Sequence, residues 1–144
     1  MSITENVLNE WKIDSKIDLT NPGNALIDIP KIHSKYLNIL SEYRMNLRKI
    51  ELDIKRMKKT KWEYYTGRMD EKTLQENGWE PFPYTLKSDI SLYMDSDDDL
   101  YRLSVRKCVY EEVIEICVSI LKELNSRTYQ LRAYIDYEKF ISGN

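Results

Sequence analysis

Glycine and proline, the residues that end helices and make tight turns, are scarce in this chain. The 144 residues contain four of each. None occurs between residues 31 and 66, and none between residues 84 and 142. Two unbroken stretches of this length exclude a fold built from many short elements and favour a few long helices.

Cysteine and histidine are too few for a catalytic or metal-binding set. Cys108 and Cys117 lie nine residues apart, which on one helix is about 13.5 Å of rise and too far for a disulfide. His33 is the single histidine. The chain also lacks a glycine-rich phosphate loop, so we predict no metal, no cofactor and no enzymatic activity.

Long apolar runs are missing as well, which argues against a membrane-spanning segment. The first six residues, Met1 to Asn6, contain neither a basic region nor an apolar one, as a secretory signal would require. A cytoplasmic location is therefore expected.

The spacing of apolar residues predicts an all-α fold. Ile3 to Lys12 is expected to form a short helix, and Asp28 is expected to cap a long helix with Pro30 near its first position. That helix has one seam at alternating steps of four and three, which is typical of a coiled coil. The seam consists of Ile29, His33, Tyr36, Leu40, Tyr43, Leu47, Ile50, Ile54, Met57, Lys61 and Tyr64.

A second long helix is predicted to begin near Ser96, because the carboxylates of Asp97 to Asp99 suit a helix N-terminus. The prediction is one domain, 1–144. It divides into an N-terminal helix and turn (1–27), a long helix with a basic end (28–68), a connector (69–95) and a second long helix (96–143). In the connector, Trp79, Phe82 and Tyr84 alternate with breakers, which indicates that it folds onto the helices.

The second helix carries more apolar surface than one partner helix covers, since a stripe through Val109, Val113, Ile116 and Ile120 adjoins its seam. We therefore predict that the two long helices form a coiled-coil hairpin and that the hairpins assemble into a homo-oligomer. The residues predicted to form the oligomer interface are Tyr110, Val113, Ile114, Cys117, Ile120, Leu121, Leu124 and Leu131.

Positive charge is concentrated at the end of the first long helix. Residues 44–68 contain nine Lys or Arg against three acids, a net charge of +6, whereas the whole chain has a net charge of −2. Aromatic residues follow the cations directly, and this combination suits single-stranded nucleic acid, with cations for phosphates and rings for unstacked bases. The predicted DNA-binding residues are Lys55, Arg56, Lys58, Lys59, Lys61, Trp62, Tyr64, Tyr65, Gly67 and Arg68.

Two other functions fit the same pattern. A coiled-coil scaffold without nucleic-acid binding would carry the cations on an ordinary solvated helix face. An RNA-binding helical adaptor would use the same cations and rings, since nothing in the sequence distinguishes RNA from DNA.

The run Glu63-Tyr64-Tyr65-Thr66-Gly67-Arg68, preceded by Lys59 and Lys61, resembles the signature of the UvsY recombination mediators of T-even-like phages. Ser34 to Asn38, in the first long helix, resembles a second stretch of that family. Cys117, Ser126-Arg127 and the closing Ser142-Gly143 fall at similar spacings, so that the resemblance spans roughly residues 11–144.

The resemblance implies a non-enzymatic protein that binds single-stranded DNA as a ring-like homo-oligomer, a hexamer or heptamer. It further implies that the protein helps to load a RecA-like recombinase onto DNA covered by single-strand DNA-binding protein, in the cytoplasm of the infected host cell. The family's basic pair corresponds to Lys59 and Lys61, and its aromatic-glycine-arginine run to Tyr64, Tyr65, Gly67 and Arg68. Its oligomer-forming helix corresponds to the seam through Ile114, Leu121 and Leu124.

Overall fold

The computed structural model describes residues 1–83 and 86–143; Tyr84 of the predicted connector lies outside them. In these residues the chain forms five α-helices and no strand, which confirms the all-α prediction. The helices are α1 (Ile3–Asp14), α2 (Pro22–Tyr65), α3 (Glu71–Asn77), α4 (Ile90–Asp95) and α5 (Asp98–Ile141), with one 3-10 turn at Lys87–Asp89. None of these helices has the length and apolarity that a membrane crossing requires.

Contacts divide the predicted single domain into two compact units. Unit 1 consists of residues 1–45 together with the chain from residue 109 onward, and unit 2 consists of residues 46–108. The two long helices, α2 and α5, run through both units, because neither contains a glycine or proline at the division.

Helix α1 begins with a capping box. The Ser2 hydroxyl accepts a hydrogen bond from the Glu5 backbone N–H (3.1 Å), and the Glu5 carboxylate accepts one from the Ser2 N–H (2.9 Å). At its other end, Arg127 donates to the backbone carbonyls of Asp14 (3.2 Å) and Ser15 (3.1 Å). A buried cation therefore satisfies carbonyls that a helix end leaves without a partner.

The predicted start of the first long helix, at residue 28, is wrong. Helix α2 begins at Pro22, and the Asn21 side chain accepts a weak hydrogen bond from the Asn24 N–H (3.4 Å). Pro22 thus occupies the first helical position, where a missing N–H costs nothing. Pro30 lies inside the helix, where its missing N–H removes one backbone hydrogen bond.

In unit 1, α1 packs on the pair of long helices. Val7 is buried in one cluster with residues of α2 and α5, and the Trp11 ring meets the Tyr36 ring edge-on at 5.6 Å. The two long helices run antiparallel here, since Tyr43 contacts Tyr110 while the earlier α2 residues lie beside Arg127. The residues of the core cluster are Val7, Tyr36, Leu40, Val113, Cys117, Ile120 and Leu124.

This packing corrects the predicted oligomer interface. Five of its residues are buried within the chain itself: Val113, Cys117, Ile120, Leu124 and Leu131. Tyr110, Ile114 and Leu121 are half-buried, and their place in a subunit interface stays a prediction. In the stripe that was expected to need a second subunit, Val113 and Ile120 lie in one cluster with Val7 of α1, a predicted helix whose packing the sequence left open.

In unit 2, the connector is folded, as predicted. It contains α3, the 3-10 turn and α4. Helix α5 then starts where the acidic run predicts, with the Asp97 carboxylate accepting a hydrogen bond from the Leu100 backbone N–H (2.9 Å). The connector, the end of α2 and the start of α5 form the surroundings of the predicted DNA-binding residues.

Candidate nucleic-acid interface

The end of α2 is fixed by a glycine in the left-handed conformation. Gly67 has φ 73°, its N–H donates to the Tyr64 carbonyl (3.2 Å), and the Arg68 N–H donates to the Glu63 carbonyl (2.9 Å). This pair of bonds is a Schellman motif, which favours a residue without a Cβ at the turn. It reverses the chain after Tyr65 and places Arg68 beside the last turn of the helix.

Exposed cations cover the outer side of α2 before this turn. Lys55, Arg56 and Lys58 are exposed and form no salt bridge with any residue that the structure describes. The Lys59 side chain is 80% exposed and reaches Glu63 only at 4.0 Å. These four side chains remain available to phosphates; their role in DNA binding stays a prediction.

Trp62 lies on the same side and forms a pair with Arg68. Trp62 is 40% exposed, so part of its ring is open to solvent. The Arg68 guanidinium carbon lies 4.6 Å from the ring centroid, within the range of a cation–π contact. Ring and cation are thus held together at the surface, next to the exposed lysines.

Lys61 is not part of the exposed cationic side. It is 5% exposed, and its Nζ lies 2.7 Å from Asp99 Oδ2 and 3.1 Å from Asp97 Oδ2. The Trp79 ring covers the ammonium at 4.1 Å. The sequence prediction that Lys61 contacts phosphate is corrected here, because its charge is already neutralised by the two aspartates at the start of α5.

The pKa values follow from this burial. Burial by itself lowers the pKa of Lys61, but its hydrogen bonds to Asp99 and Asp97 outweigh burial and raise it above the usual range. Burial likewise raises the pKa of Asp97, and hydrogen bonds from Tyr65 and the backbone N–H of Leu100 outweigh it, so the pKa is lowered. Both groups are held in their charged forms at neutral pH.

Tyr64 and Tyr65 face the connector. The Tyr65 hydroxyl donates to Asp97 (2.6 Å). Burial raises the pKa of Tyr65, and the hydrogen bond to Asp97 raises it further. The Tyr64 hydroxyl donates to the Glu80 carbonyl (2.9 Å). Their rings form one cluster with centroid distances of 4.9–5.9 Å. Its members are Tyr64, Tyr65, Trp79, Phe82 and Tyr93.

A groove opens beside Trp62. It has a volume of about 470 Å³ and lies between the end of α2 and α4. Trp62, Arg68 and Lys87 line it together with Ile90 and Met94. Lys87 was not among the predicted residues, because a lone lysine in the connector gives no signal in the sequence.

The chain is similar to known proteins. Residues 10–144 match the family described as "Recombination, repair and ssDNA binding protein UvsY".

The chain belongs to the UvsY family.

The resemblance seen in the sequence is thereby confirmed for almost the whole chain. A curated relative, the recombination protein uvsY of Enterobacteria phage T4, is 24% identical over 139 residues, 96% of this chain and 97% of the relative. Family membership makes this a recombination, repair and single-stranded-DNA-binding type of protein.

Crystal structures of the bacteriophage T4 recombination mediator protein UvsY share the fold. Lattice type II superposes with a TM-score of 0.82 at 23% identity, over 99% of this chain and 98% of that one. Lattice type I gives 0.81 at 23% identity, over 94% and 98%. At this identity the match establishes the UvsY fold but not the role of any single residue.

In this UvsY chain the signature run Glu63 to Arg68 has two parts with different surroundings. Tyr64 and Tyr65 are packed against the connector, and Gly67 makes the helix cap. Arg68 alone in the run presents a positive charge to the surface beside Trp62. Most of the signature therefore builds the end of α2, and the exposed cations that precede it form the positively charged surface.

Proposed function

We propose that this chain is a single-stranded-DNA-binding recombination mediator that helps to load a RecA-like recombinase onto DNA covered by single-strand DNA-binding protein. The observation that carries the proposal is the exposed pair of Trp62 and Arg68 beside the lysines of α2. Membership of the UvsY family supports the recombination role.

The surface suits a single strand because it offers two kinds of contact at once. Lys55, Lys58 and Lys59 attract phosphates without regard to sequence, and the exposed ring of Trp62 accepts a base that is not stacked in a duplex. A duplex hides its base faces, so only the phosphate contacts would remain. Binding is therefore strong for single strands, salt-dependent and nearly independent of sequence.

We propose further that the protein acts as a ring-like homo-oligomer of six or seven subunits in the cytoplasm of the infected host cell. Support comes from the end of α5, where four large apolar side chains are exposed: Tyr129, Tyr137, Phe140 and Ile141. Exposed apolar groups of this size on one helix end favour subunit association. A ring would repeat the α2 surface in every subunit, so that several weak contacts would act together on one strand.

A titration with labelled oligo-dT and oligo-U at two salt concentrations separates the possible functions. The proposal predicts tight binding of oligo-dT that weakens steeply with salt. A scaffold would ignore both strands at physiological salt, and an RNA adaptor would prefer oligo-U. Either result would contradict the proposal.

The mediator role is tested by adding the protein to a RecA-like recombinase on DNA already covered by single-strand DNA-binding protein. The expected result is faster filament formation, measured by DNA-dependent ATP hydrolysis. The same addition on naked DNA is the control for general stimulation. Equal effects on covered and naked DNA would remove the loading role while leaving DNA binding in place.

A further inference from the structure

We propose that the groove between the end of α2 and α4 holds one unstacked nucleotide of the bound strand. Its base would lie against Trp62, and its phosphates would lie at Arg68 and Lys87. This inference rests on the proposed function and adds to it a specific site and α4, an element that the sequence did not connect with DNA.

The size and lining of the groove fit a nucleotide. A volume of about 470 Å³ lies within the range of small-ligand sites. Ile90 and Met94 give it apolar surface for a base, while Thr66 and Ser91 add hydroxyl groups. Sites for small ligands combine apolar walls with a few polar groups in this way.

The positive charge of its lining favours an anion in this groove. Its described lining includes two cations, Arg68 and Lys87, and no acid. A neighbouring groove of about 510 Å³ shares Ser91 and Met94, but its one cation, Lys58, is offset by Asp95. A groove of about 600 Å³ in unit 1 is lined by three glutamates, Glu112, Glu115 and Glu123, and by one cation, Arg127. Of these three grooves, the one beside Trp62 suits a phosphate best.

The ring of Trp62 is already held for stacking. Arg68 lies 4.6 Å from its centroid, and the turn at Gly67 fixes where Arg68 can reach. An ordered ring loses little conformational freedom when a base packs on it. Stacking of a base on an aromatic side chain makes a sizeable contribution to binding, and this contribution does not depend on sequence.

The groove also continues the basic side of α2. Lys58 precedes Trp62 by four residues, which is about 6 Å along the helix axis. Lys58 itself lines the neighbouring groove, which meets the first one at Ser91 and Met94. A strand that follows the lysines toward the helix end therefore arrives at Trp62.

The experiment compares oligo-dT with an abasic deoxyribose-phosphate strand of equal length, which keeps the phosphates and lacks the bases. Wild-type protein should bind oligo-dT about tenfold more tightly than the abasic strand. Trp62→Ala should reduce this ratio to near one, whereas Trp62→Phe should retain most of it. Lys87→Ala should weaken binding of both strands and lower the salt slope.

Lys72→Ala is the matched control, because Lys72 is exposed in the same unit but does not line the groove. It should leave both affinities unchanged. An unaltered ratio in Trp62→Ala, or identical behaviour of Lys87→Ala and Lys72→Ala, would overturn the inference while DNA binding stood. Equal wild-type affinity for both strands would do the same. Failure of wild-type protein to bind either strand would overturn the proposed function and the groove with it.

Discussion

A lysine between two packed helices requires counterions, and Lys61 finds them at the start of α5. Its ammonium lies within 3.1 Å of both Asp97 and Asp99, and the Trp79 ring closes the third side. Such a group holds the end of α2 in place more than it attracts a ligand. Lys61 therefore holds the helix end that carries Trp62, and under the proposed function the exposed lysines contact the strand.

Replacement of Lys61 by methionine tests this role. Lys61→Met should lower the free energy of unfolding by about 3–5 kcal/mol, because it leaves the buried carboxylate of Asp97 without its cation. Urea unfolding followed by circular dichroism at fixed protein concentration measures the change.

Lys59→Met is the matched control, since the Lys59 side chain is 80% exposed and its contact with Glu63 is long. It should change the free energy of unfolding by no more than about 0.5 kcal/mol. Adding Asp97→Asn to Lys61→Met should restore part of the stability. Equal, small effects of the two lysine variants would show that the pair with Asp97 does not stabilise the fold.

The sequence contains the signal for this burial. Lys61 falls in the same 4-3 seam as Ile50, Ile54 and Met57, and the seam predicted its side correctly. Its chemistry pointed the other way, because a lysine inside a basic run suggests phosphate contact. The seam position decides between the two, since it fixes which side of α2 the residue occupies.

At the scale of the helices, the interiors were predictable and the ends were less so. Every residue of the predicted α2 seam is buried or half-buried. The same holds for the residues at steps of four and three along α5, which are Leu103, Lys107, Tyr110, Ile114, Cys117, Leu121, Leu124, Thr128, Leu131 and Ile135. The start of α2 was misplaced because two proline signals compete. Pro22 and Pro30 each follow a capping side chain by one or two residues, and the sequence pattern alone does not decide between them.

The end of α2 was predicted better, because a glycine after a long helical pattern indicates a C-terminal cap. Gly67 lies where a helix must turn back, and its φ of 73° is one that other residues rarely adopt. The turn also sets the position of Arg68, the exposed cation that follows.

Gly67→Ala tests the cap. An alanine at this φ should lower the free energy of unfolding by about 1 kcal/mol and weaken binding of oligo-dT by moving Arg68 away from Trp62. Urea unfolding and a DNA titration on the same preparation measure the two effects.

Gly23→Ala gives the matched control. Gly23 lies in the first turn of α2, and an added Cβ would meet only Asn21 Oδ1 at 4.0 Å. This variant should be neutral or more stable by up to about 1 kcal/mol, with unchanged DNA binding. The cap would have no role in the site if both glycine variants bound DNA like the wild type.

At the scale of the whole molecule, the chain separates its tasks between two units. Unit 1 holds a three-helix core around Tyr36, Cys117 and Leu124, and unit 2 holds the aromatic cluster, the buried pair and the exposed cations. The sequence predicted the cations but misassigned the core residues of α5 to a subunit interface. Coverage by α1 is a contact between residues more than a hundred positions apart, and helix periodicity alone does not reveal it.

The central claim is that exposed lysines of α2 hold the phosphates of a single strand. It is tested most directly by the salt dependence of oligo-dT binding for Lys58→Ala with Lys59→Ala. The matched control is Lys12→Ala with Lys122→Ala, which removes the same charge from exposed positions of unit 1. Both variants should keep the wild-type hydrodynamic size.

The α2 variant should bind more weakly. Its slope of log affinity against log salt should fall by about 1.4 for each subunit that touches the strand, because each phosphate that is no longer neutralised lowers the slope by about 0.7. The control variant should keep the wild-type slope. Equal slopes for the two variants would contradict the assignment of the DNA surface to α2.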